Sequence, residues 1–395
     1  MPMIAALVVL TTLSSLQLWS QETPAAQTEL FLRANDRFAF ELLKTAHREF
    51  PGRNIAVAPL PVSLTFAALL DGGVPDSESG EIRSAFHWDR SIALPAASKM
   101  ILARFKKPGN YQSSTWGAWL TAAFLHRGKG SLSQGFIDQV TRDFGIPFYA
   151  VGERTPQSKI LAEHWDPSLP MPTVTTNNDF WITSVTHLRT PWAGNTFVDA
   201  TREKRRFRLR AGGFVQADFL TSETNEYPYA RTEEFEAAVL PGWKTTILLV
   251  LPSAHSSIER LEAAIASEPD LIAPLLTRRG GDVCLPPFHL SFDRDLRNTI
   301  ETMGVRRIFS SPETLSSMAP MGALLRGVAQ KTEITVDEKG IRADAGTIVS
   351  GLTVGGFFGD QAFHMTLDRP FLFFVRDTET KALLFEGAVM NPTLR

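Results

Sequence analysis

The chain has 395 residues, 44% of them apolar and 21% charged, which is enough for a sizeable packed core and excludes a disordered, collagen-like or coiled-coil rod protein. Forty Lys and Arg against forty-two Asp and Glu leave a net charge of −2, so nothing draws the whole chain to nucleic acid. Cys284 is the single cysteine, which excludes an internal disulfide and the usual thiolate zinc site.

In chain order, residues 3–18 (MIAALVVLTTLSSLQL) are apolar and charge-free, and are short for a membrane span. They read as an export leader over residues 1–20, although no Lys or Arg precedes them. An uncleaved anchor or a disordered tail are the alternatives. Residues 21–27 read as a flexible lead-in, and a secreted, extracellular protein (periplasmic if bacterial) is expected. From Thr28 a helix is predicted, with Phe31, Ala34, Phe38, Leu42 and Ala46 on one face. Residues 63–70 form a second helix entered through Pro59 and Pro61. A third runs from near Ser133 to Phe144 and stops at Gly145 and Pro147.

Residues 155–178 are irregular, with four prolines, and could link domains. Strands are then predicted over 180–188, 245–251, 333–336, 371–376 and 381–389, the last two paired across the turn 377–380. The run TTILLVL at 245–251 suggests a strand buried on both faces. Helices and strands mix without regular alternation, which favours an α+β fold.

Searches for catalytic motifs return nothing: no nucleophile elbow, no phosphate-binding Walker loop, no His-Glu-x-x-His and no Cys-x-x-Cys. The chain is therefore read as no enzyme, with no cofactor and no metal. Asp293 and Asp295 begin like a calcium loop, but neither the Gly nor the distal Glu follows, so a helix cap before Leu296 is predicted. Residues 201–210 (TREKRRFRLR) hold six basic residues in ten. The plain reading is a half-exposed strand; the functional one is a polyanion patch of Arg202, Lys204, Arg205, Arg206 and Arg208.

Residues 332–365 ask for an explanation. A strand passes through Asp337-Glu338-Lys339-Gly340 into a long run of small residues without proline. By parity, Ile341, Ala343, Ala345, Thr347 and Val349 share one face, and both charges, Arg342 and Asp344, fall on the other. Gly, Ala and Ser form strands poorly, and so long a loop is rare unless functional. A segment able to be either exposed loop or strand satisfies both facts; a plain flexible surface loop is the alternative.

Several motifs together resemble the serpin family. They are Leu367-Asp368-Arg369-Pro370-Phe371 with Leu384-Phe385-Glu386-Gly387 and Asn391-Pro392, and the hinge-like Val336-Asp337-Glu338-Lys339-Gly340. Val283-x-Leu285-Pro286-Pro287-Phe288, Asn35-x-x-Phe38 and Asn54-Ile55 before Pro61-Val62-Ser63-Leu64 add to the match, which runs from about residue 28 to the end. The resemblance implies one domain over 28–395, with three β-sheets, eight or nine helices and an exposed reactive loop at about 340–365. It implies a monomeric inhibitor whose loop a serine protease cleaves and which then inserts into the central sheet, trapping the acyl-enzyme. The hinge would be Glu338, Gly340, Ile341, Ala343, Ala345 and Thr347.

Counting sixteen residues from Glu338, as the family does, puts the scissile bond at Val354–Gly355, which suits an elastase-like or subtilisin-like protease. Leu352, Thr353 and Phe357 are competing positions, because the stretch from Val354 to Pro370 is longer than the family's usual one. Neither nucleic acid nor, after leader removal, a membrane is an expected partner. The alternative is a non-inhibitory member acting as a carrier or binding module. Departures from the family pattern are Ile341 where Thr or Ser is usual, Gln330 for a buried His and Ser184 for an Asn.

Overall fold

The structure, a computed structural model, describes residues 23–106, 117–127, 132–151, 180–194, 196–197, 202–342 and 362–394. Its first helix, α1 (Pro24–Glu49), opens four residues earlier than the apolar periodicity predicts. The cause is local: Thr23 Oγ1 accepts from the Ala26 N–H at 3.3 Å, and Pro24 needs no donor partner at the first helical position. Residues 24–27, expected to be a flexible lead-in, are therefore helical, and the Gln27 side chain accepts from the Ala93 N–H at 2.6 Å. The predicted stripe from Phe31 to Ala46 is buried.

Helix α2 (Pro59–Gly72) is buried on every side from Pro59 to Leu70, so it is the central helix of the core. Helices α3 (Gly80–Ala85), α4 (Leu94–Arg104), α5 (Gln134–Phe144), α6 (Ile258–Ser267), α7 (Arg297–Thr302) and α8 (Arg307–Ser310) complete the described set. Gly145 ends α5 with φ 62°, a left-handed cap that glycine adopts without strain. Asp295 Oδ1 accepts from the Arg297 N–H at 3.0 Å, but Leu296 holds the cap position of α7 without a side-chain bond. Both aspartates lie at the end of a strand, so the expected cap is only partly realised, through Asp295.

The described strands form two hydrogen-bonded sheets. The first contains β1 (Ile55–Val57), β5 (Glu203–Arg208), β6 (Phe214–Thr221), β7 (Asn225–Arg231), β8 (Phe235–Gly242), β9 (Thr245–Pro252), β10 (Thr277–Leu285), β14 (Phe363–Thr366), β15 (Phe371–Asp377) and β16 (Leu383–Val389). Their order is β1-β16-β15-β9-β8-β7-β10-β6-β5, with β14 alongside β10. Two of the three expected sheets are thus joined through β10, whose first half pairs with β7 and whose end pairs with β6. In β9, Thr246 and Leu248 are only half-buried, so this strand is covered on both faces along its second half alone.

The second sheet contains β2 (Gly117–Arg127), β3 (Phe148–Val151), β4 (Phe180–Thr190), β11 (Phe288–Asp295), β12 (Leu325–Asp337) and β13 (Gly340–Arg342), in the order β11-β12-β13-β4-β2-β3. One contiguous apolar core connects both sheets and α1 to α6. The proline-rich stretch 155–178 lies outside the described residues.

Candidate functional site

Strands β4 and β12 run parallel and are paired directly only at one end, from Phe180–Leu325 to Ser184–Gln330. Farther along they part, and β13 lies between them, antiparallel to both: Ile341 is opposite Thr190 on one side and Val336 on the other. The first residues of the predicted loop are therefore already a strand of this sheet. The seam between β4 and β12 is closed at one end and wedged at the other.

The wedge is held by a tight turn. Asp337 Oδ1 accepts from the Lys339 N–H at 2.9 Å, and the Arg342 guanidinium pairs with the same Asp337 carboxylate. Trp192 Nε1 donates to the Asp337 carbonyl at 2.7 Å. Gly340 has φ 139°, and a Cβ there would sit 2.1 Å from the Thr190 carbonyl oxygen, so only glycine fits. Ile341, the unusual hinge residue, is fully buried. Glu338 pairs with Arg202 at 2.8 Å. Partial burial opposes ionisation of Glu338, but hydrogen bonds from its own backbone N–H and from Arg202 outweigh it and hold the carboxyl below its ordinary pKa.

Strand β4 carries buried polar side chains on both of its faces. Thr183, Ser184 and Thr186 are buried, and their hydroxyls find no hydrogen-bond partner among the described residues. Gln330 is satisfied differently from an imidazole: its Oε1 accepts from the Ala58 N–H at 3.0 Å and its Nε2 donates to the Ala58 carbonyl at 2.7 Å. This two-point contact ties β12 to the start of α2, which has no side-chain cap of its own.

At the far root of the loop, β14 runs parallel to β10. Phe363 stacks on Tyr229 with ring centroids 4.0 Å apart, and Gly281 leaves the space that ring occupies. Burial first, then the neighbouring Glu236 carboxylate, pushes the Tyr229 phenol up to about 12.

Of the residues predicted from sequence, Glu338, Gly340 and Ile341 come together at the wedge. Ala343, Ala345, Thr347, Val354 and Gly355 lie outside the described residues, as does the rest of 343–361. The basic stretch is a half-exposed edge strand, β5, with Phe207 buried and its neighbours exposed. Arg202 is drawn to Glu338, Lys204 to Asp218 at 3.4 Å and Arg205 to Glu203 at 2.7 Å. Arg206 and Arg208 have no acidic partner among the described residues. Trp192, Thr190 and Phe363 were not singled out from sequence, because each acts through a partner distant in the chain.

Residues 33–392 match the family model for serpins, serine protease inhibitors. Serpin B3 of Homo sapiens is 23% identical over 391 residues, covering 91% of this chain and 98% of its own length. Serpin-Z7 of Hordeum vulgare is 30% identical over 203 residues, about half of each chain. Among solved structures, human thyroxine-binding globulin has a TM-score of 0.78 at 19% identity, covering 94% of this chain and all of its own. The mouse protein-Z dependent protease inhibitor has a TM-score of 0.75 at 18% identity, with 95% of this chain and all of its own covered.

Proposed function

The chain belongs to the serpin family, and from that premise we propose that it inhibits a serine protease by offering residues 343–361 as bait and inserting them, once cut, between β4 and β12. The observation that carries this reading is the wedge itself: insertion has a seated first strand and a defined register to follow. Extending the pairing of Ile341 puts Ala343 opposite Leu188 and Ile334, Ala345 opposite Thr186 and Thr332, and Thr347 opposite Ser184 and Gln330. All six flanking residues are buried. Small side chains are what such positions accept, while Asp344 and Gly346 fall opposite the half-buried Glu333 and Lys331 on the other face of β12.

Seating Thr347 parts the Ser184–Gln330 pair, and continuing beyond it must displace the other four direct β4–β12 pairs. About a dozen new ladder bonds at roughly 1 kcal/mol each supply on the order of 10 kcal/mol before side-chain burial. A protease dragged by its acyl bond through such a movement loses the alignment of its triad and oxyanion hole, and deacylation stops. The bait bond is Val354–Gly355, and its small aliphatic residue directs the inhibitor to elastase-like or subtilisin-like enzymes. We further propose that residues 1–20 are an export leader and that residues 28–395 act outside the cell as a single-domain monomer without a cofactor.

The Gln330–Ala58 contact favours a second reading, because it anchors β12 where the seam must open. On that reading the loop stays out and the chain is a carrier or binding module. One experiment separates the two. The chain is mixed with an elastase-like protease and with subtilisin, run on a denaturing gel, and its small C-terminal fragment is sequenced. A gel-stable adduct with a fragment beginning at Gly355 is the expected result. Clean cleavage without adduct makes the carrier reading the leading one.

A further inference from the structure

The two cations of the basic stretch that lack acidic partners stand on one small face. In β5, Lys204, Arg206 and Arg208 lie opposite Asp218, Gln216 and Phe214 of β6. Phe214 is 58% exposed, and the Arg206 guanidinium lies 5.7 Å from its ring centroid. Lys204, Arg206, Arg208, Phe214 and Gln216 are all exposed, so nothing in the described residues covers this face. Its position links it to the bait. Arg202, just before β5, pairs with Glu338 at the hinge, and the Arg208 N–H donates to the Asp368 carbonyl at 2.7 Å, two residues past β14. The hairpin therefore touches both roots from which residues 343–361 depart, and a protein gripping that loop comes down beside it.

We propose that the outer face of the β5–β6 hairpin, built on Arg206, Arg208 and Phe214, is a secondary docking surface for an acidic patch on the target protease. This rests on the reading of the loop as protease bait. Charge and composition favour a protein partner over a polyanion. Arg and exposed aromatic rings are enriched in protein–protein contacts. Tight binding of a phosphate-like polymer needs many uncompensated cations, whereas Lys204 and Arg205 here are already answered by Asp218 and Glu203.

The test uses the full chain and an acidic subtilisin-like protease whose catalytic serine is replaced by alanine, so that binding is read without acylation. Association rates are measured at low and high salt for the unaltered chain, R206A/R208A, F214A, and the control R90A/K99A, which removes the same charge from exposed positions elsewhere. The expected result is an association rate about five- to tenfold lower for R206A/R208A at low salt, with a flattened salt dependence, a smaller loss for F214A and none for the control. Equal rates for all variants, an equal loss in the control, or no binding by the unaltered chain overturns the proposal. So does a loss confined to retention on a sulfated-polysaccharide column, which assigns the face to a polyanion. The active protease, run in parallel, keeps the two readings apart: hairpin-dependent association without any gel-stable adduct leaves the docking face standing and removes the inhibitor.

Discussion

The closing hairpin, β15 with β16, and the seam between β4 and β12 are both buried, yet they are made of opposite materials. In β15 and β16 the ladder runs along both flanks of β15 with one bulge, at Leu384, and Phe371, Leu372, Phe373 and Leu384 are all fully buried. In the seam, six of the eleven residues of β4 are polar and buried, three with hydroxyls that lack partners among the described residues, and the direct ladder stops at Ser184–Gln330. The first region is paired along nearly its whole length. The second is paired directly over five residues and parts around β13 beyond them. If the seam opens as proposed, the closing hairpin must stay folded while it does.

The largest expected effect comes from breaking the seam side of this contrast. Ala343→Arg puts a long cation opposite Leu188 and Ile334, both fully buried, if the loop inserts in the register given above. Burying an unpaired guanidinium costs several kcal/mol, so adduct formation should fall by about a hundredfold or more while the loop is still cut at an ordinary rate. The partition between adduct and cleaved product on a denaturing gel reads this directly. Undiminished adduct would mean that the parity of the loop, or insertion itself, is wrong.

The closing hairpin holds one flaw that sharpens the comparison from the other side. Glu386 on β16 is completely buried, and neither carboxyl oxygen has a hydrogen-bond partner among the described residues. Burial, reinforced by the Asp36 carboxylate, pushes its pKa well above the ordinary value. Glu386→Met keeps the volume and removes the polar group, and should stabilise the protein by about 1–3 kcal/mol at pH 8. Because the folded pKa is raised, the unfolded chain releases this proton first. Stability contributed by the protonated side chain is present below about pH 4.5 and is lost as pH rises toward the folded pKa. The gain from the variant should therefore grow with pH above 4.5, as measured by denaturant unfolding. A gain independent of pH would indicate a packing effect instead.

The same contrast governs what could be read from the chain. The helices α1 and α5 announce themselves because apolar residues recur at the helical period, and α2, β9, β15 and β16 because they are near-continuous apolar runs. β12 was legible only as residues 333–336, though it spans Leu325–Asp337. Its first half carries Gly327, Gln330 and Lys331, poor strand formers that are held by parallel pairing to β4, about 145 residues earlier. Glu338, Gly340 and Ile341 were legible as a motif, and Gly340 for a physical reason, the Thr190 carbonyl it must clear. Neither the pairing of Arg202 with Glu338 nor the grip of Gln330 on Ala58 leaves a local pattern, because each joins segments more than 130 residues apart.

The Arg202–Glu338 pair carries the smallest expected effect and the finest test of where the seam begins to open. Both side chains are partly exposed, and pairs of that kind contribute about 0–1 kcal/mol. The Glu338 carboxyl is held below its ordinary value of 4.5, so its contribution is present above that pH and fades as pH falls through the lower, folded value. Glu338→Gln should thus lower stability slightly at pH 7 and not at all in strong acid. Its effect on the loop should be larger than its effect on the fold, because the pair sits at the turn that seats Ile341 and touches nothing in the closing hairpin. Limited proteolysis within residues 343–361 should speed up in the variant at pH 7 while the unfolding midpoint barely moves. Equal changes in both would place the pair in the general stability of the sheet and leave the wedge to Asp337, Arg342 and Gly340.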